Sequence, residues 1–226
     1  MLLIACVAIA AGVYAGNMQI GNQGSEHGSD NALSAVQEQL KSSLLFPDDF
    51  KQMPAFSLMQ GVDIPLTEAD LKGKWSVVFF GFTNCPDICP VTLAEMNTVV
   101  TQLADDAVQM PQVLFITVDP VRDTIEKMSE YVAYFNEDFI AGSGDLTDIT
   151  VLTRELGVVA SYTASTSGDN NYSVDHTASM LVIDPELRVR AKLNPPHKAD
   201  TIAADLKTLL TTFNTEPANN TERANN

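Results

Sequence analysis

The most constraining feature of this chain is an apolar run that leads directly into a pair of cysteines. Residues 75–80, WSVVFF, are short, aromatic and β-branched, which predicts a buried strand. Residues 81–84 form a turn, and Cys85 and Cys89 follow within the run CPDICP. From Pro86 the apolar spacing becomes helical, so a helix is predicted over 86–104. Cysteines four residues apart at the head of a helix lie on one face. The sequence therefore predicts a thiol site at a strand–helix junction.

The size and charge of the chain narrow the class of protein. A length of 226 residues suits one domain of ordinary size with tails, and 45% hydrophobic residues is a globular value. The 29 acidic residues exceed the 13 basic ones, giving a formal net charge of −16. Nucleic acids and anionic membrane surfaces are bound through basic patches, so this balance argues against both as partners.

Residues 1–20 are predicted to be an export signal or a membrane anchor. Residues 2–15 are apolar or small, and no charged side chain occurs before Glu26. This stretch matches a signal-peptide core and is shorter than the roughly 20 residues that span a bilayer. The uncharged sequence up to Ile20 equally fits an uncleaved anchor, and LIAC at residues 3–6 is similar to a lipid-attachment box. Each alternative exports the rest of the protein and assigns Cys6 to the export segment.

The remaining chain divides into a tether, one domain and a tail. Residues 21–50 are predicted to be a tether, because residues 16–30 are rich in Gly, Asn and Ser. Helical periodicity over 32–45 predicts a short helix near its end, and His27 is expected to be solvated. Residues 51–213 are assigned to the folded domain. Residues 214–226 lack large apolar side chains and are predicted to be disordered.

Strand and helix patterns alternate within this domain. The run DTIE at 123–126 has capping-box spacing, so a helix is predicted to begin there and run to Phe135. The other predicted elements are a hairpin at 55–58 and 64–66, strands at 112–118, 139–141, 178–183 and 187–193, helices at 148–156 and 198–213, and an irregular stretch at 161–175. This order predicts an α/β, thioredoxin-like fold, in which a central mixed sheet has helices on both faces.

A histidine far from the cysteines in sequence completes a candidate metal site. His176 follows the irregular stretch and precedes strand 178–183, which in a thioredoxin-like sheet lies beside the start of the cysteine helix. A helix N-terminus lowers a thiol pKa, which suits Cys85 in particular as a thiolate ligand. Two thiolates and an imidazole favour Cu(I), with Cu(II) as an alternative. The same donors also occur at zinc sites with an open fourth position, and spacing alone does not separate the two metals.

Other donors near these motifs have structural explanations. The helical and strand spacing of Met96 and Met180 places them in the core, although each has a thioether sulfur that copper accepts. His197 stands at a helix start and is expected on the surface. Asp119 and Asp123 are expected to end a strand and cap a helix, respectively.

Three runs of residues carry a resemblance to a known family. The run FGFTNCPDICP at 80–90, together with VDP at 118–120 and VDHT at 174–177, resembles the Sco/SenC family over about residues 54–213. The resemblance implies a membrane-tethered, thioredoxin-fold copper protein that helps to build the binuclear copper centre of cytochrome c oxidase. By position, it implies that Cys85, Cys89 and His176 are the copper ligands and that the two cysteines are also a redox pair. Asp87 and Asp175 adjoin ligands and are expected to tune the site from outside the coordination sphere.

The chain departs from the Sco/SenC pattern at three places away from these ligands, one of which is its short N-terminal anchor. Ile125 stands where a proline is frequent in the family, and Glu186-Leu187 replaces a glycine-bearing turn. The departures concern local loop shape and membrane attachment. They leave the implied ligand set intact.

Three classes of function follow. The first is a metallochaperone that passes copper to a subunit of cytochrome c oxidase and receives it from another copper donor. The second is a thiol–disulfide oxidoreductase that reduces the cysteines of the copper-receiving partner. The third is a copper or redox sensor. Ordinary thioredoxin-like reductants use Cys-x-x-Cys with a proline before the facing strand, whereas here His176 stands at that place, so copper binding is favoured. The expected location is the periplasmic face of the inner membrane in a bacterium, or the mitochondrial inner membrane facing the intermembrane space in a eukaryote.

Overall fold

The computed structural model describes residues 26–106, 110–164 and 172–213. The helices of this part are α1 (Glu26–Gln37), α2 (Ile88–Asp105), α3 (Ile125–Phe135), α4 (Leu146–Leu156) and α5 (Ala199–Phe213). The strands are β1 (Ser43–Leu45), β2 (Ser57–Gly61), β3 (Ile64–Thr67), β4 (Ser76–Gly81), β5 (Gln112–Thr117), β6 (Ile140–Gly142), β7 (Ala160–Ala164), β8 (Tyr172–His176), β9 (Met180–Ile183) and β10 (Val189–Leu193). A 3-10 turn at Glu68–Asp70 follows β3.

A six-stranded sheet in the order β1-β10-β9-β4-β5-β6 forms the centre of the domain. Strands β4, β5 and β6 run parallel to one another, whereas β9 and β10 are antiparallel to their neighbours. The sheet is therefore mixed, as predicted. Two further pairs, β2 with β3 and β7 with β8, form separate hairpins.

Alternation of side chains along β4 divides the apolar interior into two cores. Val77 and Phe79 pack on one face with the buried sides of α2, α3 and α5. Val78 and Phe80 pack on the other face with α4 and the β2–β3 hairpin. Successive side chains of a strand point to opposite faces, so a strand that is apolar at every position is buried on both. Helices thus cover both faces of the sheet, which confirms the thioredoxin-like prediction.

Three local predictions differ from the structure. The stretch predicted to be irregular contains β7 and β8, which pair from Ala160 with His176 to Ala164 with Tyr172. The predicted helix over 32–45 is α1, which ends at Gln37, and residues 43–45 instead join the central sheet as β1. Helix α3 is capped by Thr124, whose side chain accepts the backbone N–H of Lys127, and not by Asp123.

The predicted export segment at 1–20 and the predicted tail at 214–226 lie outside the described residues. Among the helices that are described, none has the length and apolar content required to cross a membrane.

Candidate metal centre

The three candidate ligands lie together at one end of the central sheet. The ligand atoms of Cys85, Cys89 and His176 all lie within 4.8 Å of one another. The Sγ atom of Cys89 is 3.6 Å from Nε2 of His176. Cys89 and His176 are 87 residues apart in the sequence, so the fold, not local sequence, brings the imidazole to the sulfurs.

The cysteines are placed by the turn between β4 and α2. Cys85 lies in this turn, where its backbone N–H donates to the carbonyl of Phe82 at 3.2 Å. The helix begins three residues later at Ile88, two residues after the predicted start at residue 86, so Cys85 precedes the helix. Cys89 lies in the first helical turn, and its N–H donates to Cys85 Sγ at 3.5 Å. This contact brings a partial positive charge of the helix terminus to the Cys85 sulfur.

Gly81 at the end of β4 leaves the space that the Cys89 sulfur occupies. A Cβ atom at residue 81 would lie 2.6 Å from Cys89 Sγ and 2.5 Å from a ring carbon of Phe115. Real Cβ contacts are not that short, so both the sulfur and the ring would have to move. The glycine is required here for packing.

Hydrogen bonding orients His176 towards the sulfurs. Its Nδ1 lies 3.0 Å from the carbonyl oxygen of Thr177, and since a carbonyl only accepts, Nδ1 carries the proton in this contact. In the neutral imidazole, Nε2 then holds the lone pair and faces Cys89. The edge of the ring packs against Phe82, with ring centroids 5.7 Å apart and planes at 84°. The side chain thus presents a metal-binding nitrogen from a fixed position.

Burial shifts the pKa values of two of these groups in opposite directions. Cys89 has no exposed surface, and burial raises the pKa of its thiol more than the backbone of Phe82 lowers it. Burial lowers the pKa of His176, against the opposing effects of the Thr177 carbonyl and the Asp175 charge. Both effects keep the groups neutral. A metal ion that binds here must therefore displace the Cys89 proton, but not an imidazole proton at neutral pH.

The donor set fits a soft, low-coordinate metal ion. Metal–sulfur bonds of about 2.3 Å and metal–nitrogen bonds of about 2.0 Å in a trigonal plane separate sulfur from nitrogen by roughly 3.7 Å. The observed 3.6 Å between Cys89 Sγ and His176 Nε2 needs almost no adjustment. Cys85 is partly exposed while Cys89 is buried, so the approach to the cluster is from the Cys85 side.

The structure places the remaining candidates outside this cluster. Met96 and Met180 are fully buried in the core that contains α2, as predicted. His197 is buried, whereas it was predicted on the surface. Its Nε2–H donates to the carbonyl of Ala178 at 2.8 Å, which provides a hydrogen-bond partner for this polar group inside the protein. Asp87 is the N-terminal capping position of α2 but makes no capping hydrogen bond through its side chain. Asp175 is exposed on β8 beside His176.

Sequence reasoning missed the roles of four side chains around the cluster. Asp123 is fully buried beneath the cysteine turn. Arg122 stacks on Tyr172, and Tyr172 contacts Tyr162 within the hairpin that carries His176. The tyrosines fall in the stretch that was predicted to be irregular. Their alternation with polar residues was a strand signal, but the surrounding Gly, Asn, Ser and Thr obscured it.

Comparison with known proteins identifies close relatives of this architecture. The family model described as SCO1/SenC matches residues 47–211. A candidate copper-binding protein of Stutzerimonas stutzeri is 35% identical over 167 residues, which cover 74% of this chain and 80% of that protein. The mitochondrial SCO2 homolog of Bos taurus is 38% identical over 133 residues, or 58% of this chain and 49% of that protein. The chain thus spans about half the length of this mitochondrial relative.

A solved structure shares both the fold and a substantial part of the sequence. The crystal structure of Arabidopsis thaliana ScoI with copper bound is 31% identical and superposes with a TM-score of 0.65. The match covers 70% of this chain and 98% of that one. The likeness therefore extends over nearly all of the Arabidopsis domain.

Proposed function

Because the chain belongs to the SCO1/SenC family, we propose that it is a metallochaperone that binds copper through Cys85, Cys89 and His176. The observation that carries the proposal is the convergence of the three ligand atoms within 4.8 Å. The two thiolates favour Cu(I), and the imidazole is a nitrogen ligand that also suits Cu(II). Copper is the cargo of the protein, so the site has to release it as well as hold it.

The proposed recipient is the copper-receiving subunit of cytochrome c oxidase, in which the ion becomes part of the binuclear copper centre. The mitochondrial relatives and the family resemblance support this assignment. Transfer proceeds by ligand exchange: a recipient thiolate approaches from the exposed Cys85 side, binds copper and replaces the ligands one at a time. A second copper donor loads the site by the reverse route. We place the protein at the periplasmic face of the inner membrane of a bacterium, or facing the intermembrane space in a mitochondrion, tethered by its N-terminal segment.

The first experiment is an anaerobic Cu(I) titration of the reduced chain against a competing chelator. We expect one copper per chain for the wild type, and much weaker binding for Cys85→Ser, Cys89→Ser and His176→Ala. Cys6→Ser and His27→Ala are the matched controls, because they remove the same donor types from the segments preceding the domain. Unchanged affinity in His176→Ala would refute the three-ligand site. Retained binding without transfer to the recipient's copper domain would favour a sensor over a chaperone.

The arrangement of the two thiols favours a second candidate function, thiol–disulfide exchange. Cys85 is partly exposed and suits the attacking role, while the buried Cys89 suits the resolving role. The Cys85 thiolate attacks a disulfide of the partner, forming a mixed disulfide and releasing one partner thiolate. Cys89 then attacks the Cys85 sulfur and releases the second partner thiol. The partner gains two electrons and two protons overall, and this chain ends with a Cys85–Cys89 disulfide.

Copper-free assays separate the two functions. Reduced, metal-free protein is mixed with an oxidised recipient domain, and the recipient's free thiols are counted. Thiol reduction that is lost in Cys85→Ser but kept in His176→Ala would assign an oxidoreductase activity. If neither the wild type nor His176→Ala reduces the recipient, copper delivery stands alone.

A further inference from the structure

We propose that the connection between β5 and α3 is a bracket that positions both halves of the copper site without contributing a ligand. The bracket consists of Thr117, Asp119, Arg122 and Asp123. Its Asp123 side holds the turn that carries Cys85, and its Asp119–Arg122 side holds the hairpin that carries His176. The proposal deepens the copper-binding function above and rests on it.

Asp123 fixes the cysteine turn. Its carboxylate is fully buried and accepts the backbone N–H of Thr83 at 2.9 Å and the hydroxyl of Thr117 at 2.9 Å. It also accepts the hydroxyl of Thr83 and forms an ion pair with Lys127 at 3.2 Å. Thr83 lies two residues before Cys85. A buried carboxylate that is satisfied by several donors cannot shift without breaking them, so the turn is held to the end of β5.

Asp119 and Arg122 fix the histidine hairpin. The hydroxyl of Tyr172 donates to the Asp119 carboxylate, and the hydroxyl of Tyr162 donates to the carbonyl of Val118. The guanidinium of Arg122 pairs with Asp119, donates to the Tyr172 carbonyl at 3.0 Å and stacks 3.9 Å from the centre of the Tyr172 ring. Strands β7 and β8 pair with each other and with no other strand of the described chain. These contacts, with buried Val174, therefore set where the hairpin places His176.

The two sides of the bracket form one rigid turn. The backbone N–H groups of Arg122 and Asp123 both donate to the carbonyl of Asp119, at 3.1 and 3.0 Å. The hydroxyl of Ser143 donates to the carbonyl of Asp123 at 2.8 Å and ties the turn to the end of β6. The cysteine turn and the histidine hairpin are therefore both held in place by the same short backbone turn. A ligand set drawn from separate elements needs such a common support to hold its geometry.

The test of the histidine side uses the full-length chain with Tyr162→Phe and Tyr172→Phe combined. The substitutions remove two hydroxyl hydrogen bonds and keep both rings. We expect Cu(I) dissociation and amide hydrogen exchange in β8 to accelerate by about tenfold, with exchange over residues 83–89 unchanged. Tyr134→Phe is the matched control, because that side chain is 86% exposed on α3. Wild-type dissociation and wild-type exchange in the double variant would overturn the histidine half of the proposal.

The test of the cysteine side compares Thr83→Val with Thr83→Ser. Valine keeps the shape of threonine and loses the hydroxyl that binds Asp123, whereas serine restores it. We expect faster copper dissociation and faster amide exchange over residues 83–89 in Thr83→Val, and recovery of both in Thr83→Ser. A uniform loss of stability in both variants, with no local change at residues 83–89, would show that the contact is structural only.

The metal-free measurements separate this proposal from the copper function. If the wild-type chain binds no copper, the proposed function fails, while hydrogen exchange still reports whether the bracket holds the turn and the hairpin. If the wild type binds copper and neither variant changes its dissociation, the copper function stands and the bracket is refuted.

Discussion

The buried Cys89 and the half-buried His176 differ in how burial affects their readiness to bind a metal ion. Burial raises the pKa of the Cys89 thiol, which keeps the proton on a group that must lose it to coordinate copper. Burial lowers the pKa of His176, which keeps the imidazole in its coordinating, neutral form. The thiol is therefore the proton-linked ligand of the pair.

Copper affinity should consequently depend on pH. Between about pH 6 and pH 8 we expect the apparent Cu(I) affinity to rise by up to about tenfold per pH unit for each proton released. Binding displaces the Cys89 proton, so a higher pH favours the complex. Chelator competition at several pH values measures the slope, corrected for the chelator's own protonation. An affinity that does not change over this range would contradict the assignment of a protonated Cys89 in the metal-free protein.

Gly81 offers a steric test at the same scale. In Gly81→Ala the added methyl group would meet Cys89 Sγ at 2.6 Å, so we expect a loss of about 1–3 kcal/mol in unfolding free energy and weaker copper binding. Urea unfolding and copper competition measure the two effects. Gly61→Ala is the control, because the three atoms nearest to its methyl group would all belong to the flexible side chain of Ile64, the nearest at 3.0 Å. Equal copper affinity in the wild type and in Gly81→Ala would show that the sulfur has room to move.

At the scale of elements, the three ligands come from two independent pieces of the fold. The β4–α2 junction supplies both cysteines, and the β7–β8 hairpin supplies His176. The first piece was predictable, because a buried apolar strand followed by helical spacing is a strong local pattern. The hairpin was not, since its polar, small residues resemble a loop and its pairing partners stand up to 16 residues apart, as in Ala160 with His176.

The carboxylate of Asp205 on α5 holds residues 41–43, which directly precede and begin β1. Asp205 is fully buried and accepts the backbone N–H groups of Lys41, Ser42 and Ser43 at 2.7, 3.0 and 3.0 Å. It also accepts the hydroxyls of Ser42 and Ser43, at 3.2 and 2.6 Å. The contacts lead the chain into β1, which pairs with β10 at the edge of the central sheet. The segment from residue 41 is thus part of the folded structure.

Replacing this carboxylate should destabilise the domain in a pH-dependent way. We expect Asp205→Asn to lower the unfolding free energy by about 1–3 kcal/mol at neutral pH, because an amide cannot accept all five hydrogen bonds. Asp200→Asn is the control, since that carboxylate is exposed. Urea unfolding of both variants at neutral and acidic pH gives the comparison.

The sign of the pH effect follows from the Asp205 pKa. Burial by itself would raise this pKa, but the hydrogen bonds from Ser43, Lys41 and Ser42 lower it further than burial raises it. A lowered folded pKa stabilises the protein above the unfolded value of about 3.9, and this stabilisation is lost as the pH falls through the folded value. The difference between wild type and Asp205→Asn should therefore shrink in acid. If the difference in unfolding free energy instead grew in acid, the ionised state of Asp205 in the folded protein would be contradicted.

At the scale of the whole molecule, the order of elements followed from the sequence, while several polar positions did not. The alternation of buried strands and amphipathic helices predicted the mixed sheet with helices on both faces. His197 was misplaced on the surface because its partner, the carbonyl of Ala178, comes from another element. Asp123 was taken for a helix cap, but its carboxylate is occupied by Thr83 and Thr117. Sequence patterns predict the burial of apolar residues well. Whether a polar residue is buried depends on hydrogen-bond partners that are distant in the sequence.

Copper should stabilise the entire domain in the reduced state only. The ligands join the β4–α2 junction to the β7–β8 hairpin, so binding favours the folded chain over the unfolded one. At a free copper concentration about a hundredfold above Kd, binding should raise the unfolding free energy by about 2.7 kcal/mol and raise Tm. Oxidation to the disulfide removes both thiolate ligands and should abolish the shift. Thermal unfolding with and without copper measures it, and an equal shift in oxidised protein would show that copper binds elsewhere.

The most direct test of the account is X-ray absorption of the chain loaded with one equivalent of Cu(I). It reports the atoms bound to the metal, which the convergence of Cys85, Cys89 and His176 predicts to be two sulfurs and one imidazole nitrogen. In His176→Ala the nitrogen contribution should disappear while both sulfurs remain. A wild-type spectrum with fewer than two sulfur ligands, or one that is unchanged in His176→Ala, would contradict the proposed site.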